Sequence, residues 1–369
     1  MSYVEGGSYH VGHGAMHYLK VKNDEGEVEK KILIDAGSNQ DDGINMFSPQ
    51  TVFDDIYNSK QEQCIFCLTH LHADHYAYFN IIIKKLFKRN RLCVVDRFYV
   101  GSVKSQAAIF EMINNNPGAS EHDEFLCGID LLNELITILD TKVVFMDTVS
   151  TIPKPEWVSE DGDVELHVLF NCLFNDDVHW LNANSANYLL RKKTNKRAFW
   201  VTGDITGRTF DHLWRDGELQ SKISYLVEGY NVTLTVPHHG SLHTMLESDF
   251  IKKGNSNPHK WFLLCFMLGL RNYSLILNSC FGDRYGHPSG IALGIYSQCC
   301  AYRFRSDSWM VYKYADDDMD AYKQVRQWFG KKYLDIEGLY LQTLQRNLIS
   351  TIETGGFMPI WNNYIITQF

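Results

Sequence analysis

The chain has 369 residues, 45% of them hydrophobic and 21% charged, with a formal net charge of −9. This is the make-up of a globular protein with length for one large or two modest domains. The negative balance excludes a tight, non-specific grip on long nucleic acid through a basic surface. A nuclease stays open, because metal ions supply local positive charge at a scissile phosphate.

The nine cysteines are odd in number, and Met1 to Gly7 lacks a basic region followed by an apolar one, so a reducing cytoplasm is the expected setting. The longest apolar run, Trp261 to Leu270, has ten residues, too few to cross a bilayer, and no membrane association is expected.

Taken in chain order, the opening reads as two strands, Tyr9 to Gly14 and Met16 to Val21, and a third, Lys31 to Gly37, follows the polar turn Asn23-Asp24-Glu25-Gly26. Asp35 ends that third strand ahead of a glycine and is a candidate for orienting a ligand from behind. Residues 38 to 63 read as loop and a short helix. The apolar run Cys64 to Leu68 then leads into Thr69-His70-Leu71-His72-Ala73-Asp74-His75, which places four metal-competent side chains within six residues. In an extended segment His70, His72 and Asp74 share a face, and His75 joins them only if the chain turns. Imidazole with carboxylate suits Zn, Mn or Fe. Cys64 and Cys67 form a C-x-x-C inside the apolar run, a context for buried packing rather than redox chemistry.

Helical periodicity appears at Ile81 to Phe87 and at Asp130 to Leu135. A second strand series follows: Lys142 to Met146, Val164 to Phe170, Ala186 to Leu190 and Arg197 to Val201, the last running into Thr202-Gly203-Asp204. A helix is expected over Phe210 to Leu219. The strand Val232 to Val236 leads into Pro237-His238-His239-Gly240-Ser241, two adjacent histidines fixed by Pro and released by Gly. Another strand, Tyr273 to Asn278, comes before Tyr285-Gly286-His287-Pro288, where His287 sits in a turn suited to a rigid imidazole. The tail carries the strand candidate Trp309 to Tyr314, the acidic run Asp316-Asp317-Asp318 and helical periodicity from Tyr322 to Leu348.

In this order the motifs resemble the metallo-β-lactamase superfamily, and more closely the hydrolase domain of ComEC-type competence proteins and their free-standing relatives. The resemblance is carried by Val11-Gly12-His13-Gly14, Leu33 to Gly37, the H-x-H-x-D-H of His70 to His75, Asn184 to Tyr188, Gly203-Asp204, the H-H-G-S of His238 to Ser241, and the Y-G-H-P of Tyr285 to Pro288. It spans residues 11 to 288. It implies an α/β four-layer αββα sandwich over residues 1–315, with a mainly helical C-terminal extension over 316–369 that packs on the core or on a partner.

The resemblance further implies two divalent metal ions, Zn or Mn. His70 and His72 would hold one. Asp74, His75 and one of His238 and His239 would hold the other, with Asp204 bridging; the sequence does not choose between the two neighbours. Asn184 stands where many superfamily members carry a further histidine, which makes the His70/His72 metal the weaker, and His179 is a lesser substitute. His13 stands where relatives carry a small polar residue. The implied activity is that of a metal-dependent phosphodiesterase or nuclease cleaving DNA or RNA through a metal-activated hydroxide. In it Asp74 and Asp204 serve catalysis, His287 serves as proton donor, and Ser241 serves as a donor to a phosphate oxygen. The implied partner is a nucleic acid or nucleotide substrate, with a homo-oligomer or protein partner through the C-terminal extension. The alternatives are hydrolysis of a small ester, lactone or cyclic nucleotide, or an effector subunit active only in a complex.

Overall fold

The computed structural model describes residues 2–9, 11, 14–38, 49–59, 63–105, 107–108, 111, 114, 132–146, 154–174, 181–241, 244, 268 and 270, together with the strand backbones at 273–276 and 367–368. Their elements, in chain order, are β1 (Tyr3–Ser8), β2 (Met16–Lys22), β3 (Val28–Ala36), α1 (Gln50–Tyr57), β4 (Gln63–Leu68), α2 (Ala73–Lys88) and β5 (Val95–Val100). There follow α3 over 132–139, β6 (Val143–Phe145), β7 (Trp157–Val158), β8 (Val164–Phe170), β9 (Asn187–Lys192) and β10 (Arg197–Val201). The last are α4 (Gly207–Arg215), α5 (Gly217–Val227), β11 (Asn231–Thr235), β12 (Tyr273–Ile276) and β13 (Thr367–Gln368).

The strands form two sheets, one of seven strands in the order β13-β1-β2-β3-β4-β5-β6 and one of six in the order β12-β11-β10-β9-β8-β7. Each sheet has an antiparallel part and a parallel part. In the first, β3 to β6 run parallel; in the second, β10 to β12 do.

Strand alternation assigns the layers. Leu19, Ile32, Ile34, Ile65, Cys67 and Tyr99 of the first sheet pack against Leu166, Tyr188, Leu190, Phe199 and Val201 of the second. The neighbouring positions Tyr18, Leu33, Phe66 and Phe98 face outward, onto Phe79, Ile82, Ile83 and Leu86 of α2 and onto α1. On the far side of the second sheet, the Arg191 guanidinium reaches the Leu226 carbonyl of α5 at 3.1 Å, and Leu189, Trp200, Leu213 and Ile223 are buried. The result is the four-layer αββα sandwich. Cys64 and Cys67 fall in different layers, Cys64 under the helices and Cys67 between the sheets. Burial pushes the Cys64 thiol up to about 12, which suits packing and not redox chemistry. No helix of the described residues is long and apolar enough to cross a membrane.

Three expectations are corrected. The first strand of the described residues lies earlier than expected, at Tyr3–Ser8, and pairs antiparallel with β2 from Tyr3↔Lys22 to Ser8↔His17, while residues 10, 12 and 13 of the expected Tyr9 to Gly14 strand lie outside the described residues. The expected single helix over Phe210 to Leu219 is two, because Asp216 leaves helical geometry at φ −94°, ψ 88° and its carboxylate caps the second helix by accepting from Leu219 N at 2.9 Å. The stretch after α2 holds a strand that periodicity alone did not show: β5, in which Tyr99 packs inward while Phe98 and Val100 pack under the helices. His13, His179, Tyr285 to Pro288 with His287, Trp309 to Tyr314, Asp316 to Asp318 and the expected helices of the extension lie outside the described residues. Within the extension, Thr367–Gln368 pairs antiparallel with β1.

Candidate metal centre

The chemistry-bearing residues gather where the C-terminal ends of the parallel strands of both sheets meet. Asp35 is the last residue but one of β3, His70 follows β4, Asp204 follows β10, and His238 and His239 follow β11. The two sheets are tied together here, with Tyr188 Oη donating to the Leu68 carbonyl at 3.0 Å and Ala186 N donating to the Thr69 carbonyl at 2.9 Å. Strand ends are where an open α/β sheet presents side chains without breaking its ladder.

The His70 to His75 stretch changes direction at His72, which is extended at φ −103°, ψ 147° and stands immediately before α2. His75 N donates to the His72 carbonyl at 2.9 Å, closing the first helical turn. That turn brings His75 to the same side as His70, the condition the extended reading lacked. Asp74 lies in the same turn, at the positive end of the helix dipole. The turn sits on a floor of glycine backbone. A Cβ at Gly37 would stand 2.3 Å from the Asp74 carbonyl carbon and 2.4 Å from His75 N. Ala15 N donates to the Asp74 carbonyl at 2.9 Å.

Around Asp204 the side chains converge. His75 Nε2 lies 3.1 Å from Asp204 Oδ1. Asp204 Oδ2 lies 3.5 Å from His239 Nε2, 3.7 Å from His238 Nε2 and 3.9 Å from His70 Nε2. His239 Nε2 is also 3.1 Å from Asp74 Oδ2 and 3.2 Å from His75 Nε2. One donor atom each from Asp74, His75, Asp204 and His239 all fall within 4.8 Å of one another. To one side, His70 Nε2 and His72 Nδ1 face each other at 3.1 Å.

These separations fit divalent ions. Donors at about 2.1 Å from a tetrahedral ion stand about 3.4 Å apart, and the contacts around Asp204 run from 3.1 to 3.9 Å. The charge balance fits as well, since three buried or half-buried carboxylates (Asp35, Asp74 and Asp204) call for positive charge in their midst. In the protein alone, histidines supply it. Burial opposes a charge on His75, but Asp204, Asp35 and Asp74 hold its pKa well above the ordinary value. His239 is raised likewise against its burial by Asp204 and Asp74. Burial raises the Asp74 and Asp204 carboxyls, and the facing histidines outweigh it and hold both well below the usual range.

Behind the donors, Asp35 is fully buried and accepts three hydrogen bonds: Thr69 N at 2.8 Å on Oδ1, and Thr69 Oγ1 and His75 Nδ1, each at 2.8 Å, on Oδ2. With its own proton on Asp35, Thr69 Oγ1 accepts from His70 Nδ1 at 3.1 Å. Both rings are thereby turned with Nε2 inward, the usual arrangement behind metal-binding histidines. The sequence signal for Thr69 is faint: a hydroxyl directly before a histidine at a strand end. Asn187 Nδ2 donates to the Ser185 and Thr202 carbonyls at 3.1 and 3.0 Å, holding the turn before Asp204. A Cβ at Gly203, whose φ is +56°, would stand 2.8 Å from Thr69 Cβ.

Asn184 braces a neighbouring loop. Its Oδ1 accepts from Phe174 N at 2.9 Å and its carbonyl from Cys172 N at 3.2 Å, bracing the loop at 172–174. Ser241 N donates to the His238 carbonyl at 2.8 Å and closes the Pro237–Gly240 turn. In that turn both histidines have left-handed backbones, His238 at φ 45°, ψ 52° and His239 at φ 51°, ψ 17°, and Asp35 does so too at φ 53°. Each such residue costs about 1–2 kcal/mol. The side chains of Asp74 and His238 retain 17% and 16% exposure, marking the open face of the site.

No protein-family model matches the chain, and no curated protein matches it. Among solved structures, the chain is similar to a long-form RNase Z from yeast at 16% identity and a TM-score of 0.38, over 76% of this chain and 37% of that one. It is also similar to TMB-1 at 15% identity and a TM-score of 0.29, over 69% of this chain and 94% of that one. The chain thus spans well under half the length of the RNase Z.

Proposed function

We propose that this chain is a metal-dependent hydrolase of the metallo-β-lactamase type, acting as a phosphodiesterase on a nucleic acid or nucleotide. The observation that supports the reading is the convergence of Asp74, His75, His239 and His70 on Asp204 where the two sheets meet. His70 and His72 would hold one ion and Asp74, His75 and His239 the other, with Asp204 shared. Bound there, two divalent ions supply Lewis acidity and an acidified water at neutral pH.

The chain's own groups do the rest. Thr69 and Asp35 fix the Nδ1 protons of His70 and His75 and so aim each Nε2 inward. Asp74, kept ionised by His75 and His239, lies at the open face and orients the attacking water by accepting its hydrogen bond. The assignment of His287 as proton donor to the leaving oxygen rests on the Y-G-H-P resemblance, as does the choice of a phosphodiester over other esters. The net charge of −9 favours a small substrate and keeps a lactone, thioester or cyclic-nucleotide hydrolase as the second reading.

The test is an activity panel on the metal-loaded protein with Mn, Zn and Mg, covering single- and double-stranded DNA, RNA, cyclic dinucleotides, bis(p-nitrophenyl) phosphate, a lactone and a thioester. Turnover of a phosphodiester, lost in Asp74→Ala and His72→Ala, is the expected result. Intact phosphodiesters alongside turnover of the lactone or thioester would replace the first reading with the second.

A further inference from the structure

We propose that His238 and His239 are both metal ligands, one for each ion, with His238 completing the site that His70 and His72 begin. The inference rests on the metal-centre reading above and gives each of the adjacent histidines a separate task.

Counting donors motivates it. The group of Asp74, His75, Asp204 and His239 already offers four donors within 4.8 Å of one another, the number a tetrahedral ion takes. The other side offers His70 Nε2 and His72 Nδ1, 3.1 Å apart, and a share of Asp204, whose Oδ2 is 3.9 Å from His70 Nε2. That set offers three donors, one fewer than the first, and has room for a further imidazole or for water. Asn184 is turned to the loop at 172–174, where its amide oxygen accepts from Phe174 N at 2.9 Å.

His238 approaches the same shared carboxylate. Its Nε2 is 3.7 Å from the same Asp204 Oδ2 that His70 faces. Its ring stands at 85° to that of His239, with centroids 6.2 Å apart, so the two imidazoles approach Asp204 from different directions. In an extended strand, adjacent side chains point to opposite faces. Here two successive left-handed residues bring both rings onto one carboxylate. The turn is also held for His238 in particular: its N donates to the Gly203 carbonyl at 3.2 Å, directly beside Asp204, and its carbonyl accepts from Ser241 N at 2.8 Å.

The test is titration of the metal-free, full-length protein with Co(II), read by its visible absorption, and with Zn(II), read by competition with a chelator. The wild type is expected to take two equivalents. His239→Ala should lose the ion held by Asp74 and His75. His238→Asn, whose residue type tolerates the left-handed backbone, should keep that ion and bind the other at least about a hundredfold more weakly, with an altered Co(II) spectrum. His238→Gly should repeat the loss with the backbone strain removed, which separates a missing ligand from a distorted turn. On the unmodified protein, the ¹⁵N ring resonances of His238 should move to metal-bound values as zinc is added. Two equivalents bound with wild-type affinity and spectra by both His238 variants, or unmoved His238 resonances beside a filled site, would overturn the His238 assignment and leave the metal centre standing. A wild-type protein that binds no divalent ion would overturn the metal centre and this assignment together.

Discussion

The first sheet delivers its donors to the site as one contiguous piece, whereas the second delivers them singly. His70, His72, Asp74 and His75 ride on the end of β4 and the first turn of α2, and that turn is seated on Gly37 backbone with no space for a Cβ. Asp204 and the histidine pair come from two separate strand ends, held by the Asn187 bonds and by left-handed residues at His238 and His239. The contiguous half rests on packing beneath it and on the Asp35–Thr69 hydrogen bonds behind it, and the dispersed half rests on hydrogen bonds and two consecutive left-handed residues. Asp204 is where the two meet, with imidazoles of both halves within 4 Å of its carboxylate.

This contrast can be broken from either side. The largest effect is expected from Asp204→Ala, which removes the shared carboxylate: affinity at both metal positions should fall by more than about a hundredfold, measured by chelator competition, while the fold persists by circular dichroism. Next, Gly37→Ala should push on the Asp74–His75 backbone and cost about 1–3 kcal/mol in a denaturant titration. Gly217→Ala, with nothing within 4 Å of the new methyl, serves as the silent control. Asp35→Asn keeps the size but loses the charge that orients His75. A loss of about 10–100-fold in metal affinity is expected, larger at the position His75 serves than at the His70/His72 pair, which Asp35 reaches only through Thr69.

The effect furthest from the metal donors is a pH slope. His17, fully buried between the sheets against Ser8 and Phe199, is pushed down to about 3 by burial and by the nearby His75 and His239 charges. The unfolded chain takes up a proton on this residue below about 6.5, and the folded chain does not until about 3. The stability it confers is therefore complete above pH 6.5 and declines as pH falls from there towards 3, by at most about 1.4 kcal/mol per pH unit. His17→Phe should flatten that part of the stability profile, measured by denaturant midpoints across pH 4 to 7.

The same contrast explains what the sequence revealed. His70 to His75 was legible because its donors are neighbours in the chain, and Asp35, Gly203-Asp204 and the histidine pair were legible as carboxylates and imidazoles at strand ends beside glycine. The choice between His238 and His239 was not, since it depends on where two left-handed residues aim their rings, which spacing does not encode. Thr69 is not legible because its role is a three-way hydrogen bond assembled only when β3, β4 and α2 come together. Strand β5 is not legible because the charged Asp96 and Arg97 interrupt it and its apolar residues Phe98 to Val100 run together without alternation.

The most direct test of the shared site is a zinc-edge anomalous difference map from crystals of the zinc-loaded protein. Two peaks are predicted within about 2.0–2.2 Å of their donors, one among Asp74, His75 and His239 and one beside His70 and His72, each also bound by Asp204. A map with no peak at Asp204, or with zinc held elsewhere, would contradict the account.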